Sequence, residues 1–317
     1  MNFYISIFFI LFTTIKVFGC TRTVIQFDTF TPSAIQFDDT TTGQTISFTV
    51  THNAPTTACL YFIAFDYGTA TTFTDRALNL GTNSIPYNVF SSTTPSPANI
   101  LRDQQDVTAI PQIVFFPIFT AAAGSTTNSH TLFAQIGAIP PGLPPGVYTS
   151  SLVAKLVAGT GATGPLATFP VADERALTFF HVVESNLNIS LVPTGGAFAE
   201  DSTVQVFNFD RLTTGEIQTA DIRIQTNVGY RLFVNSANAG RLRHITAPAE
   251  FVDYTLSVNG SAIPLTGGGP GAAIETNNGA FLAGSEETIP LSVTIGSVTT
   301  QPAGAYQDII SFTIEAF

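Results

Sequence analysis

Short runs of alternating apolar and polar residues, separated by turn-forming residues, fill most of the chain. In the first half they cover residues 45–50, 61–65, 85–90, 113–119 and 132–136. In the second half they cover 187–192, 204–209, 222–225, 230–234, 254–258 and 289–295. Successive side chains on a strand point to opposite faces, so this alternation predicts strands with one buried face. The last run is the plainest: Ile310, Phe312 and Ile314 share one face, and Ser311, Thr313 and Glu315 the other. Asn259-Gly260, directly after Val258, is a hairpin signal. No segment keeps a helical period between caps. The pattern predicts an all-β fold of sandwich type.

The landmarks of the first half return in the second. Phe37-Asp38-Asp39-Thr40-Thr41-Thr42-Gly43 is matched by Phe209-Asp210-Arg211-Leu212-Thr213-Thr214-Gly215; both read Phe-Asp-x-x-Thr-Thr-Gly. Pro144-Pro145-Gly146-Val147-Tyr148 opens one late strand and Pro302-Ala303-Gly304-Ala305-Tyr306 another. The order is the same in both halves, which predicts two tandem domains, 20–184 and 185–317. Residues 158–164 are Gly/Ala/Thr-rich, but 166–183 still contain strand-like material, so the boundary is set near Glu184.

Residues 3–18 are almost wholly apolar. The run is shorter than the roughly 20 residues that cross a bilayer. It ends at Val17-Phe18-Gly19, so 1–19 reads as a signal peptide and the chain as exported. Charged residues make up only 10%, the net charge is −11, and eleven Lys plus Arg form no basic stripe. Nucleic acid is excluded as a partner. A weakly charged, Thr-rich exterior suits a subunit packed against copies or partners outside the cell. The two cysteines, Cys20 and Cys59, are expected to form a disulfide in an oxidising compartment. The competing reading lipidates Cys20 and leaves Cys59 free; bulky Phe18 before Gly19 speaks against it.

Chemistry-bearing constellations do not stand out. His52, His130, His181 and His244 are scattered without metal-ligand spacing, so no metal and no cofactor are expected. No Ser sits in Gly-x-Ser-x-Gly. Asp38-Asp39 and Glu286-Glu287 are sequence neighbours, which on a strand face opposite ways. Gly267-Gly268-Gly269-Pro270-Gly271 lacks the Lys-Ser/Thr of a phosphate loop. An enzyme is not expected. One run invites a functional reading: Ile113, Val114, Phe115, Phe116, Pro117, Ile118 and Phe119. The plain reading is a buried strand pair, although Pro117 argues against a central strand. The functional reading is an exposed apolar loop that adheres to hydrophobic surfaces. Residues 95–100 and 138–143 are further loops of that kind. Tyr148 and Tyr306 open the final strands and are expected to be structural, ring packed and hydroxyl bonded to backbone.

The order of landmarks resembles the spore coat protein U domain family, which also supplies subunits of archaic chaperone–usher pili. The resemblance is carried by the signal peptide, the early Cys20, the Phe37-led segment with Gly43, the strand bearing Cys59, and Arg76-Ala77-Leu78 leading to Tyr87-Asn88-Val89-Phe90. It continues through residues 99–103, Gln135-Ile136-Gly137-Ala138-Ile139-Pro140 and Gly146-Val147-Tyr148. Pro302-Ala303-Gly304-Ala305-Tyr306-Gln307-Asp308 is closer to the family's closing motif than the first half, which has Thr149-Ser150 where Asp is expected. The second half also lacks cysteines. The resemblance implies immunoglobulin-like, pilin-like sandwiches that lack a strand. Partners supply it: a periplasmic chaperone first, then, at the outer-membrane usher, the adjacent pilus subunit. A disulfide at Cys20 would leave no free N-terminal arm to donate, so the expected place is the pilus tip. The first domain would be the adhesin, meeting an abiotic or host surface, and the second the strand acceptor. The alternative is a secreted, self-complete coat or matrix protein without a pilus.

Overall fold

A computed structural model of the chain describes residues 25–38, 43–53, 59–119, 125–159, 169–265, 273–277 and 286–317. The signal-peptide residues and Cys20 lie outside that set. The described residues fall into two compact units, one comprising the chain up to Ile139 with Val147–Val182, the other Pro140–Gly146 with Val183–Phe317. Both are all-β sandwiches, with two single-turn 3₁₀ segments in the first, Pro97–Asn99 and Ile110–Gln112.

The first unit contains β1 (Ile25–Thr31), β2 (Ala34–Phe37), β3 (Gln44–His52), β4 (Cys59–Phe65), β5 (Ala77–Leu80), β6 (Asn83–Phe90), β7 (Val114–Phe119), β8 (Thr126–Ile136), β9 (Gly146–Gly159) and β10 (Val171–Val183). They form one hydrogen-bonded path in the order β1-β3-β8-β6-β5-β9-β10-β2, with β4 between β7 and β9. Strands β1, β3, β8 and β6 make one layer; β4, β7, β9, β10 and β2 make the other. Alternation drives the layering. In β3, Ile46, Phe48 and Val50 are buried while Thr45 and Ser47 face out. Each fully buried Ile or Phe contributes roughly 1.5–3 kcal/mol of hydrophobic stabilisation. Across the layers the Tyr61 hydroxyl of β4 meets His130 Nε2 of β8 at 2.8 Å.

One end of this unit is organised by a buried cation. Arg76 is 1% exposed. Its guanidinium donates to the carbonyl oxygens of Phe65 (3.0 Å), Asp66 (2.7 Å) and Leu101 (2.7 Å) and to Asn88 Oδ1 (3.1 Å). Five donors in a rigid fork suit this task. Burial pulls its pKa down to about 10.

The second unit contains β11 (Leu187–Pro193), β12 (Ile217–Thr226), β13 (Tyr230–Ser236), β14 (Arg241–His244), β15 (Phe251–Val258), β16 (Ser261–Ile263), β17 (Ala273–Asn277), β18 (Glu286–Ile295), β19 (Tyr306–Gln307) and β20 (Ile310–Ala316). One sheet runs β11-β12-β18-β15-β14-β19, with β16 beside β15; the other runs β17-β13-β20. Ile222, Leu256 and Val293 of the first sheet pack with Leu232 and Val234 of the second in a single core. The hairpin predicted at Asn259-Gly260 joins β15 to β16, with Asn259 at φ 50° and Gly260 at φ 75°. The predicted strands are found with one exception. Residues 204–209 alternate like a strand, but among the described residues they join no ladder.

Candidate functional site

That exception borders an open cavity of the second unit. Residues 203–212 form a strap whose outer positions are open to solvent: Val204 is 76% and Val206 71% exposed. Its inner positions, Phe207, Phe209 and Leu212, rest half-buried on the core. Among the described residues, no backbone–backbone hydrogen bond involves residues 204–212; their main-chain oxygens accept from side chains, Asn208 from Gln218, Val206 from Gln205 and Arg211 from Thr213. Facing the strap is β20. Among the described residues it pairs with β13 on one side and with no strand on the other. Ile310 and Phe312 of β20 are half-buried, and Ile309 at its start is 68% exposed.

Between strap and β20 lies an open groove of about 1440 Å³. Its floor is apolar, with Ile189 and Leu191 from β11, Val252 from β15 and Leu291 and Val293 from β18. A sandwich normally closes such a seam with a strand, because an unpaired edge beside exposed apolar side chains favours association with another chain.

The groove walls are firmly held. Asp308, just before β20, accepts from Tyr254 Oη (2.6 Å), Ser236 Oγ (2.5 Å) and the amide of Asn238 (3.0 Å). Burial, and then the bond to Asp308, raise the Tyr254 hydroxyl above the ordinary tyrosine range. His244 Nδ1 accepts from the amides of Thr246 (3.2 Å) and Ala247 (2.9 Å), and its ring stands edge-on to Tyr306 at 4.8 Å. Gly304 lies on that ring at φ 157°; a Cβ there would come within 1.9 Å of His244 Nε2. Only glycine lets the 301–307 wall seat on β14.

The first unit shows what fills the equivalent seam. The repeat aligns Ala34-Ile35-Gln36-Phe37-Asp38 with Val206-Phe207-Asn208-Phe209-Asp210, so the strap is the counterpart of β2. It aligns the strand after Tyr148 with the strand after Tyr306, so β20 is the counterpart of β9. In the first unit β10 lies between β9 and β2. It runs parallel to β2, with Phe179 opposite Ile35 and His181 opposite Phe37. Phe179 is fully buried against Phe37 and Tyr87, at ring distances of 6.1 and 5.0 Å. His181 Nδ1 meets the Phe37 carbonyl at 3.1 Å. In the second unit the corresponding place is the groove.

The residues singled out from sequence lie elsewhere. Val114, Phe115, Phe116, Pro117, Ile118 and Phe119 form β7, antiparallel to β4, with Val114 opposite Ile63 and Phe119 opposite Cys59. Ile113 and Val114 are buried; the side chains of the five residues from Phe115 lie outside the described set. Among the described residues β7 pairs only with β4, the edge position in which proline is tolerated. Cys59 begins β4, and its expected partner Cys20 is outside the described residues. Tyr148 is fully buried, and the Tyr306 hydroxyl donates to the Pro302 carbonyl at 2.8 Å. Among the described residues no group of three or more His, Cys, Asp or Glu side chains is placed to hold a metal. No helix among them is long and apolar enough to cross a membrane. The groove itself was not read from sequence, although the repeat held the signal: the strap aligns with β2, whose partner strand is β10.

Three comparisons bear on identity. No curated protein sequence matches the chain. Solved structures include a chain of the CsuC–CsuE chaperone–tip adhesion subunit pre-assembly complex of archaic Csu pili from Acinetobacter baumannii, at 14% identity and TM-score 0.39, covering 89% of this chain and 97% of that one. They also include the CupB6 tip adhesin from Pseudomonas aeruginosa, at 12% identity and TM-score 0.43, covering 86% of each chain. CfaE, the adhesive subunit of the CFA/I fimbria of enterotoxigenic Escherichia coli, matches at 13% identity and TM-score 0.31, covering 95% of this chain and 81% of that one. At TM-scores below 0.5 these superpositions do not establish a common topology. The Spore Coat Protein U domain model matches residues 14–155, so that stretch of the chain is similar to that family.

Proposed function

We propose that this chain is a subunit of a surface pilus of the chaperone–usher type, completed in its second unit by a strand from another chain. The observation that carries the reading is the groove between β20 and the strap, set beside the filled seam of the first unit. An incoming strand antiparallel to β20 and parallel to residues 206–209 would satisfy both unpaired edges, and its alternate side chains would cover the floor. The donors in this reading are a periplasmic chaperone during export and an adjacent subunit after passage through an outer-membrane usher. A subunit with one self-complete unit and one open unit suits the pilus tip, with the first unit as head. A self-complete coat or matrix protein would account for the first unit but gives the groove no role.

Within this reading the run from Ile113 to Phe119 is the head's candidate adhesive element. Changing Phe115, Phe116 and Phe119 to Ser in a folded chain should reduce attachment to plastic; unchanged attachment would remove the run from consideration. The strand-acceptor reading is tested by expressing the full chain with and without a chaperone of this class. Alone it should aggregate or associate through the second unit; with the chaperone it should form a soluble one-to-one complex. A stable monomer without any partner strand would count against it.

A further inference from the structure

The two units turn the corner beside their seams differently. In the first unit Asn79 of β5 pairs with Thr149 of β9. A tight turn with Gly81 at φ 60° then leads from Leu80 straight to its partner Asn83 of β6. In the second unit Arg243 of β14 pairs with Gln307, the repeat counterpart of Thr149. The next residue, counterpart of Leu80, is His244, and it pairs with Tyr306. Here the corner is longer, running from Ile245 to Glu250 before β15 begins. The unit whose seam is filled has a leucine at this corner; the unit with the open groove has a histidine, only 7% exposed.

The two ring nitrogens have opposite tasks. Nδ1 accepts from the amides of Thr246 (3.2 Å) and Ala247 (2.9 Å). An atom that accepts from two N–H groups carries no proton, so the neutral ring holds its proton on Nε2. Nε2 donates to the Ala303 carbonyl at 3.3 Å. One side of the ring thus shapes the corner, and the other holds the 301–307 wall of the groove. Little else fixes that wall to β14. Their ladder consists of Arg243 with Gln307 and His244 with Tyr306, extended by the Ile245 amide donating to the Ala305 carbonyl at 2.9 Å.

A proton added at Nδ1 turns the acceptor into a donor aimed at two amide N–H groups. None of those donors is then satisfied, and an unpaired buried donor is costly. The ring must leave its place, and the Ala303 bond and the packing under Gly304 go with it. The charged and titratable groups on the elements around the ring have other partners. Arg243 donates to the Pro248 carbonyl (3.1 Å), Arg241 lies over the Phe251 ring (4.2 Å), the Tyr306 hydroxyl donates to the Pro302 carbonyl, and Asp308 accepts from Tyr254, Ser236 and Asn238. Glu250, whose carbonyl accepts from the His244 amide (3.0 Å), and exposed Asp253, opposite Arg241, are the other acids nearby in the chain. Among the described residues none of these groups forms an ion pair with the ring.

We infer that His244 is an acid-sensitive pin of the groove in the second unit. While its ring is neutral, the 301–307 wall is seated and β20, which follows it, is held in place to take a strand. When the ring is protonated, the wall loosens and the groove holds a strand less tightly. The effect on strand binding rests on the reading of the groove as a strand acceptor; the seating of the wall does not.

The test follows amide exchange of the full chain at about pH 7.5 and about pH 5, corrected for intrinsic rates, because histidine is the side chain that ordinarily changes charge in this range. Residues 244–250 and 301–307 should lose about tenfold or more protection in acid, relative to the β12–β18 ladder of the same unit. His244→Asn keeps a side-chain oxygen that can accept from amides two and three residues on, and it does not titrate, so its wall should keep pace with that ladder. His244→Phe keeps a ring without an acceptor, and its wall should be loose at both pH values. A wild-type wall as steady as the ladder, or an equal acid loss in His244→Asn, would overturn the pin. A second arm adds a synthetic peptide with the sequence of Val171–Val183. The wild type should bind it about tenfold more weakly at the lower pH, and His244→Asn should lose much less; the peptide's own titrating groups affect both chains alike. If the peptide binds neither chain at either pH, the acceptor reading fails and exchange still decides the pin. If it binds and both chains lose affinity equally, the inference fails and the acceptor reading stands.

Discussion

Phe179 lies directly opposite Ile35 in the parallel ladder of β10 and β2, and among the described residues nothing lies opposite Phe207, the counterpart of Ile35 in the repeat. Two copies of one pattern thus reach different ends. In the first unit the ladder places a phenylalanine in the core. In the second the equivalent residues wait beside a groove.

This difference has an energetic signature. Phe179→Ala should destabilise the first unit by about 3–5 kcal/mol, the usual cost of emptying a packed aromatic site. Phe207→Ala should cost the second unit, with its groove unfilled, about 1 kcal/mol, because the half-buried ring already faces open space. Urea unfolding of the full chain, followed by amide exchange in each unit, separates the two values. Equal costs would mean that the seam of the second unit is packed.

His130 should make the first unit acid-sensitive. It is buried between Phe48 and Tyr61, and burial lowers its pKa to about 4. The unfolded chain, with an ordinary pKa near 6.5, takes up the proton first. Stability is therefore full above about pH 6.5 and falls as the pH drops toward 4, by about 2–3 kcal/mol. Unfolding midpoints at pH 7 and pH 5 should differ more in the wild type than in His130→Asn. An equal difference would relieve His130 of that role.

The cysteine pairing is open to direct measurement. Cys20 and Cys59 should resist thiol labelling in the secreted chain until reduced, and reduction should destabilise the first unit by about 2–4 kcal/mol. Labelling of Cys59 without reductant would exclude the bridge.

Much of this architecture was legible in the sequence because its cause is local. Alternation in β3, β8 and β20 reports a buried face, and Asn259-Gly260 reports a turn, whatever lies beyond them. Residues 204–209 show where local reasoning stops. Their pattern is that of a strand, but a strand also needs a neighbour, and the neighbour is a matter of tertiary structure. Arg76 was quoted only as part of a motif; its role depends on carbonyls of residues 65, 66 and 101, which no spacing in the chain brings together.

The central claim is that the seam between β20 and residues 204–209 is open and takes a strand. Amide hydrogen exchange over residues 204–209 and 310–316 tests it most directly. It compares the full chain with a version carrying a Gly-rich turn and a copy of Val171–Val183 after Phe317. With the added strand, alternate amides along both edges should exchange about a hundredfold more slowly or better. Edges already protected in the unaltered monomer, or unchanged by the added strand, would contradict the account.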